Sequence, residues 1–511
     1  MRRQWRLSLV MAMLLALAGC GFGTSSSPET TTGQSLVLDS NFTPKSGWAL
    51  ETDDAIELSK AGVLESLTRV DNDIKVQPAL AASWKQTAPD TWDITLREGA
   101  KFQDGTTAVD ATAVTQALNH VLKAEAPPAA FSPDIIASVK AADPQTVRIT
   151  TKGPDPLMPF RLASPNTGIL APAGYEGGKI NPIRTATGPF VLVKEVPKQS
   201  ITLERNASWW GGNVGLAGAE MRFIPDGGVR ATQVRTDEAQ IGVVIPISSL
   251  PEFQSASDVR VNVQSLPRTT ALYLNNAKAP FNKKEVRQAI QSAIDVQSIA
   301  DNVYEKAAKP AVGPFLPDEP WGDEQAKPVA YDPDKATQLL AQAGVNPGSL
   351  QVDLWAYQER PELKDVATAI QAMLKKVGIT AKIRNAEYAA LEPDLLAGKF
   401  DMMLLSRNHL SAVADPAGFL QADYTCKGGY NLSHFCDPTI DKQVAQASKL
   451  ADPNARYDLY RQVADKLQAD AVDVFLVHEQ QHDALRASVQ NYRLNPVGYY
   501  YLTPDLALNA S

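Results

Sequence analysis

The chain has 511 residues, of which 44% are hydrophobic and 21% charged, and its net charge is −8. That length is too great for one compact core, so two or three domains are expected in an ordinary globular protein. The acidic balance and the lack of any basic run exclude nucleic acid as a partner.

Arg2, Arg3 and Arg6 precede an uncharged apolar run from Leu7 to Leu17. Spanning a bilayer takes about 20 apolar residues. This run is shorter and fits a signal peptide over residues 1–19. Leu17-Ala18-Gly19-Cys20 reads as a lipobox, with Cys20 acylated as the mature N-terminus. The alternative is an ordinary signal peptide with a chance cysteine. Cleavage before Cys20 removes three arginines and no acid, taking the charge from −8 to −11. Residues 20–35, rich in Ser, Thr and Gly, suit a flexible tether. Lipid there anchors the chain to a membrane without spanning it. The expected location is the extracytoplasmic face of the cell membrane, periplasmic where an outer membrane exists.

Further along, Gly99, Gly105 and Gly188 suit turns needing positive φ. Trp84, Trp92 and Phe102 read as core. Asn282 and Glu285 are spaced as a capping box, and Val286, Ala289, Ile290, Ala293, Ile294 and Val303 follow helical spacing. Arg287 and Asp295 read as surface or inter-helix partners. Asp332-Pro333 opens another helix, closed by Gly344. The strand QVDLWAY (351–357), a helix over 362–376 ending near Gly378, the strand ITAKI, a helix over 387–396 and the strand FDMMLLS then alternate. Such alternation predicts α/β layers with right-handed crossovers. Ligands on such sheets sit beyond the carboxyl ends of strands, here the loop opening at Ser406-Arg407-Asn408-His409.

Besides Cys20, the only cysteines are Cys426 and Cys436. In an oxidising compartment they are expected as a disulfide. A metal site with His434 is the alternative, against which stands the usual two-to-four-residue spacing of zinc cysteines. His478-Glu479-Gln480-Gln481-His482 matches H-E-x-x-H, which on a helix would make a zinc peptidase with Glu479 as base. The preceding VDVFLV has strand character, and no third ligand follows His482. An enzyme is therefore not expected.

An ordered set of fragments runs from about 75 to 440. It comprises Gln77-Pro78-Ala79-Leu80-Ala81 with Trp84, Trp92 to Arg97, Gly99, Lys101-Phe102 and Asp104-Gly105. Thr187-Gly188-Pro189-Phe190, Arg205-Asn206 with Trp209-Trp210, and Asn275 with Pro280-Phe281 follow. Val286-Arg287-Gln288-Ala289, Ala293-Ile294-Asp295, Tyr331-Asp332-Pro333 with Lys335-Ala336, and Asp415-Pro416 complete it. In this order the chain resembles the peptide/nickel-type extracellular solute-binding proteins.

The resemblance implies an α/β, two-lobed architecture of the periplasmic-binding-protein type II kind with an extra third domain. Lobe I would comprise residues 36–72, 184–270 and 492–511, the extra domain 73–183 and lobe II 271–491. Two crossovers would join the lobes, which close on ligand by hinge motion. It further implies a monomer without cofactor that hands a small solute, a peptide or a metal chelate, to an ABC permease and its ATPase. Peptide binders of this kind hold the α-amine with an Asp just ahead of the Asp-Pro pair. Here no acid lies between Ser406 and Asp415. Arg407, a planar fork suited to a carboxylate, and His409, a possible metal ligand, stand there instead, unless an acid elsewhere such as Glu359 serves. A ligand with exposed carboxylates is therefore expected. Trp48, Trp355, Tyr357 and Tyr388 are candidate apolar walls, and His478 a candidate contact on the late strand.

Overall fold

The computed structural model describes residues 34–509 except 255, 347 and 412. The expected signal peptide, Cys20 and the tether up to residue 33 lie outside the described residues. The first strand, Ser35–Ser40, begins one residue inside the stretch read as tether.

One mixed sheet runs through the molecule. Its spatial order is Ile379–Ala386, Leu350–Tyr357, Met402–Asn408, Val259–Leu274, Asp473–Arg486, Ile241–Gly242, Ser35–Ser40, Gly218–Phe223, Ser200–Arg205 and Phe190–Val196. Ala308–Pro310 adds to Asp473–Arg486 beside this path. The two longest strands lie at the centre, with 16 and 14 residues. They pair antiparallel in two segments. Val259–Ser265 faces Gln480–Arg486, and Thr269–Tyr273 faces Asp473–His478, with a break between Ser265 and Thr269. The first segment is flanked by Ile241–Gly242 and the second by Met402–Asn408. Both halves of the sheet thus share these two strands, and the chain passes between the halves here twice.

Apolar packing separates along the same line. One cluster runs from Ala271 to Val477 and surrounds the half with Leu350–Tyr357. A second draws on Leu36 to Val243 and on Leu485 to Leu506. A third, from Leu67 to Ala171, packs against a separate four-stranded antiparallel sheet and contains Trp92 and Phe102, with Trp84 at its edge. Val70, Ile74, Leu157 and Ala163 also join the first cluster, so apolar side chains from the 70–163 stretch pack against that half. No described helix is long and apolar enough to cross a membrane.

Local signals were mostly realised where polar groups fix the backbone. Asp332 caps the helix Pro333–Gln342 by accepting from the Lys335 N–H at 2.8 Å, and Gly344 takes φ +69°. The strands and helices expected over 351–406 form as Leu350–Tyr357, Glu362–Lys376, Ile379–Ala386, Tyr388–Leu396 and Met402–Asn408. The capping box does not form. The helix starts at Lys284, so Glu285 stands at its second position, where it cannot return the bond to the cap. That helix stops at Ala293. Asp295 then caps a second one, Val296–Asn302, accepting from the Ser298 N–H at 2.9 Å, so it is a cap and not an inter-helix partner. Arg287 does join helices: buried, it donates to the carbonyls of Asp470 and Ala471 just past helix Pro453–Ala469. Gly99 and Gly105 take positive φ, but Gly188 does not. Its requirement is space, since a Cβ there would strike the backbone of Gly62 and Val63.

Candidate functional site

Three strands of the Ala271–Val477 half end together. Leu350–Tyr357 runs parallel to Ile379–Ala386 and to Met402–Asn408. Parallel strands bring their carboxyl ends to one edge. Tyr357, Arg360, Ser406 and Arg407 therefore collect there, and the central strands bring Arg268, Thr270 and Glu479 against them.

The cluster is held by a chain of polar contacts. Arg268 donates at 3.3 Å to the Ser406 carbonyl and hydroxyl. The Ser406 hydroxyl donates to Glu479 Oε1 at 2.5 Å, as does Thr270 Oγ1 at 2.7 Å. Arg360 donates to Glu479 Oε2 at 2.8 Å and to Glu362 at 3.1 Å. Burial works against the charge on Arg360, but the carboxylate of Glu479, Tyr357 and Glu362 outweigh it and hold the guanidinium well charged. Arg268 fares differently. Burial pushes its pKa below the ordinary value; Glu479 opposes this, while Arg360 and Arg407 add like-charge repulsion. Among the described residues no carboxylate reaches Arg268 within ion-pair distance. It is a partly desolvated cation with only neutral acceptors.

Arg407 alternates away from Ser406 along its strand. Its fork closes on Asp423, with both contacts at 2.8 Å, and its guanidinium lies 4.3 Å from the Tyr430 ring centre. The carboxylate expected of a ligand is thus supplied at Arg407 by the protein. Tyr430 meets Tyr388 hydroxyl to hydroxyl, and Tyr388 meets Tyr357 edge-on at 5.5 Å. Those three rings form an aromatic row around the strand ends. Glu359 accepts from the Tyr388 N–H.

The other expected contacts lie elsewhere. Trp48 is buried in the Leu36–Leu506 core, its Nε1 on Glu195. Trp355 is core too, under Arg384 and beside Phe400. Trp355 alternates onto a packed strand face and Trp48 turns inward from a loop, and single-sequence reading cannot distinguish either from a cleft wall. His409 is 2% exposed, bonded through Nε2 to Glu319 at 2.7 Å and ringed by Phe315, Trp321 and Phe419. His478 is buried as well. Its Nε2 accepts from the Val312 N–H, so Nδ1 carries the proton and donates to Thr269 Oγ1. Burial, with the nearby His409 and Lys309, pushes its pKa down to about 3, so it stays neutral.

H-E-x-x-H lies within the strand Asp473–Arg486. Alternation sends Glu479 to the face opposite His478 and His482, and both nitrogens of His478 are already bonded. The zinc peptidase reading fails on that geometry. Among the described residues no group of three or more His, Cys, Asp or Glu side chains could hold a metal ion. Cys426 and Cys436 are bonded to each other, closing a loop that carries Tyr430 and places Ser433 on Asp473.

Arg268, Arg360 and Tyr430 were missed in the sequence, and Glu479 was weighed only as a peptidase base. Arg360 had a signal: it follows a strand's carboxyl end by three residues. Arg268 had another, being a charge immediately ahead of the uncharged strand end TTALYL (269–274). A cavity of about 660 Å³ opens beside the central strands, lined by Asn72–Lys75, Gln264, Pro267 and Leu316–Pro320. It takes in Pro267 but not Arg268.

The description "Bacterial extracellular solute-binding proteins, family 5 Middle" fits residues 75–431. The chain is 26% identical over 502 residues to the nickel-binding protein NikA of Staphylococcus aureus, covering 97% of this chain and 98% of that protein. It is 30% identical over 375 residues to di/tripeptide-binding protein 3 of Pseudomonas aeruginosa, covering 71% and 70%. The crystal structure of the S. aureus NikA in complex with Ni(L-His)2 superposes with a TM-score of 0.73 at 25% identity, over 93% of this chain and all of that one. With the family fitted to more than half its length, the chain belongs to family 5 of the bacterial extracellular solute-binding proteins.

Proposed function

We propose that this protein is the solute-capturing component of an ABC importer and that its solute carries a carboxylate. The observation that carries this is Arg268, a partly buried guanidinium without an acid partner among the described residues. A carboxylate docked there gains a charge-assisted bond in a site of reduced dielectric. A free α-ammonium is less favoured, because the two buried acids of the cluster, Asp423 and Glu479, already hold Arg407 and Arg360. The favoured solute is therefore a peptide whose amine is blocked or modified. A metal held by small carboxylate chelators is the second reading. It is favoured by the extent of the nickel-binding relative and by the lack of a metal-holding cluster among the described residues.

Capture proceeds by hinge closure. The break in strand pairing between Ser265 and Thr269 supports a pivot there, with Glu479 and Gln480 opposite. On that reading the lobes meet near Ser265–Thr269 and Glu479, against the expected 270 and 491. Thermal-shift measurements test the ligand class. An N-acetyl dipeptide with a free carboxylate should raise the melting temperature by mass action, and its C-terminal amide should not. Equal shifts from both would overturn the reading.

Lipid on Cys20 tethers the protein beside its permease. Cys20→Ala is expected to move the protein from the membrane pellet to the soluble fraction. Retention in the pellet after a high-salt wash would rule the anchor out.

A further inference from the structure

We infer that Glu479 sets the number of negative charges on the ligand, by occupying from the protein side a cation that a second ligand carboxylate would otherwise claim. This rests on the carboxylate reading of the cleft. Three guanidinium groups, those of Arg268, Arg360 and Arg407, come together at the strand ends. Two are neutralised by buried protein acids: Asp423 holds Arg407, and Glu479 holds Arg360.

Glu479 differs from Asp423 in how it is fixed. It projects from a central strand shared by both halves of the sheet, and hydroxyls from the next two strands on one side, Thr270 and Ser406, both bond its Oε1. Oε2 takes Arg360. With both oxygens bonded and its side chain 9% exposed, this carboxylate is a fixed part of the wall. The same Ser406 hydroxyl accepts from Arg268, so the open cation and the built-in anion share one bridging atom. A first ligand carboxylate on Arg268 therefore lies beside a protein carboxylate of the same sign. A second would have to displace Glu479 from Arg360 or stand next to it unpaired. Selection against doubly charged ligands follows from that repulsion, and the single charge is favoured by difference.

Calorimetry with two isosteric probes tests this: N-acetyl-alanyl-glutamine, with one carboxylate, and N-acetyl-alanyl-glutamate, with two. The wild-type protein should bind the first at least tenfold more tightly. Glu479→Gln keeps an oxygen for Thr270 and Ser406 but removes the charge, and it should abolish or invert that preference. An unchanged preference in a folded Glu479→Gln protein would overturn the inference while leaving the carboxylate reading intact. Wild-type protein that binds neither probe would overturn both. If Glu479→Gln fails to fold, Arg360→Gln decides. It leaves the Glu479 charge to fall on Arg268, so binding of N-acetyl-alanyl-glutamine should drop at least tenfold. Unchanged affinity there would overturn the inference.

Discussion

Arg268→Gln is expected to weaken binding of a carboxylate solute by roughly 30-fold or more. Removing one partner of a desolvated, charge-assisted pair costs about 2 kcal/mol or more, and each 1.4 kcal/mol is about a factor of ten. The stability of the ligand-free protein should not suffer. In the structure Arg268 has neutral acceptors only and is repelled by Arg360 and Arg407, so removing its charge relieves the site. Arg407→Gln makes the contrast. It strands the fully buried Asp423 carboxylate and should lower stability before it touches affinity. Calorimetry with the N-acetyl dipeptide and thermal melting of each variant without ligand separate the two effects. An unaltered affinity in Arg268→Gln would remove the residue from the site.

Asp415→Ala is expected to cost about 3–5 kcal/mol of folding stability. Asp415 is fully buried and accepts from Arg456 Nε at 3.1 Å, Tyr460 hydroxyl at 2.8 Å and the Ala417 N–H at 3.0 Å. Arg456 is itself only 2% exposed. Truncating the acid leaves that guanidinium buried without a counter-charge, which is worse than lacking the pair altogether. Denaturant unfolding of the two proteins measures the difference, and a loss below about 1 kcal/mol would show that water or another acid reaches Arg456. The Asp-Pro pair therefore anchors helix Pro453–Ala469 to the strand-end loop, a structural duty.

How much of this could be read beforehand follows from the range of each interaction. The alternation from 351 to 406 was legible because strand and helix periods and the caps at Asp332 and Gly344 are local. The cysteine pair was legible because, with Cys20 read as the lipid site, only Cys426 and Cys436 remained. Family membership was legible because many short fragments held their order. The charge cluster was not. Arg268 and Glu479 are 211 residues apart, and only the pairing of the central strands brings them together. Trp48, Trp355, His409 and His478 misled for a related reason. Aromatic and imidazole side chains look the same in sequence whether they line a cleft or fill a core. In the fold Trp48, His409 and His478 bond to Glu195, Glu319, Thr269 and the Val312 amide, and Trp355 packs on Phe400.

The two apolar interiors are assembled from the chain in different ways. The one from Ala271 to Val477 is nearly continuous in sequence, whereas the one beginning at Leu36 needs Leu485, Val489, Tyr492, Tyr501, Leu502 and Leu506 to be complete. A polypeptide is made from its N-terminus, and domains fold as units when their parts are present. The first half to begin is thus the last to finish. Residues 36–64 must wait, unsealed, for more than 400 residues to emerge, while the arginine-bearing half can consolidate meanwhile. The final segment then plays the part of a keystone: its arrival completes one interior and, through Asp473–Arg486, ties it to the other.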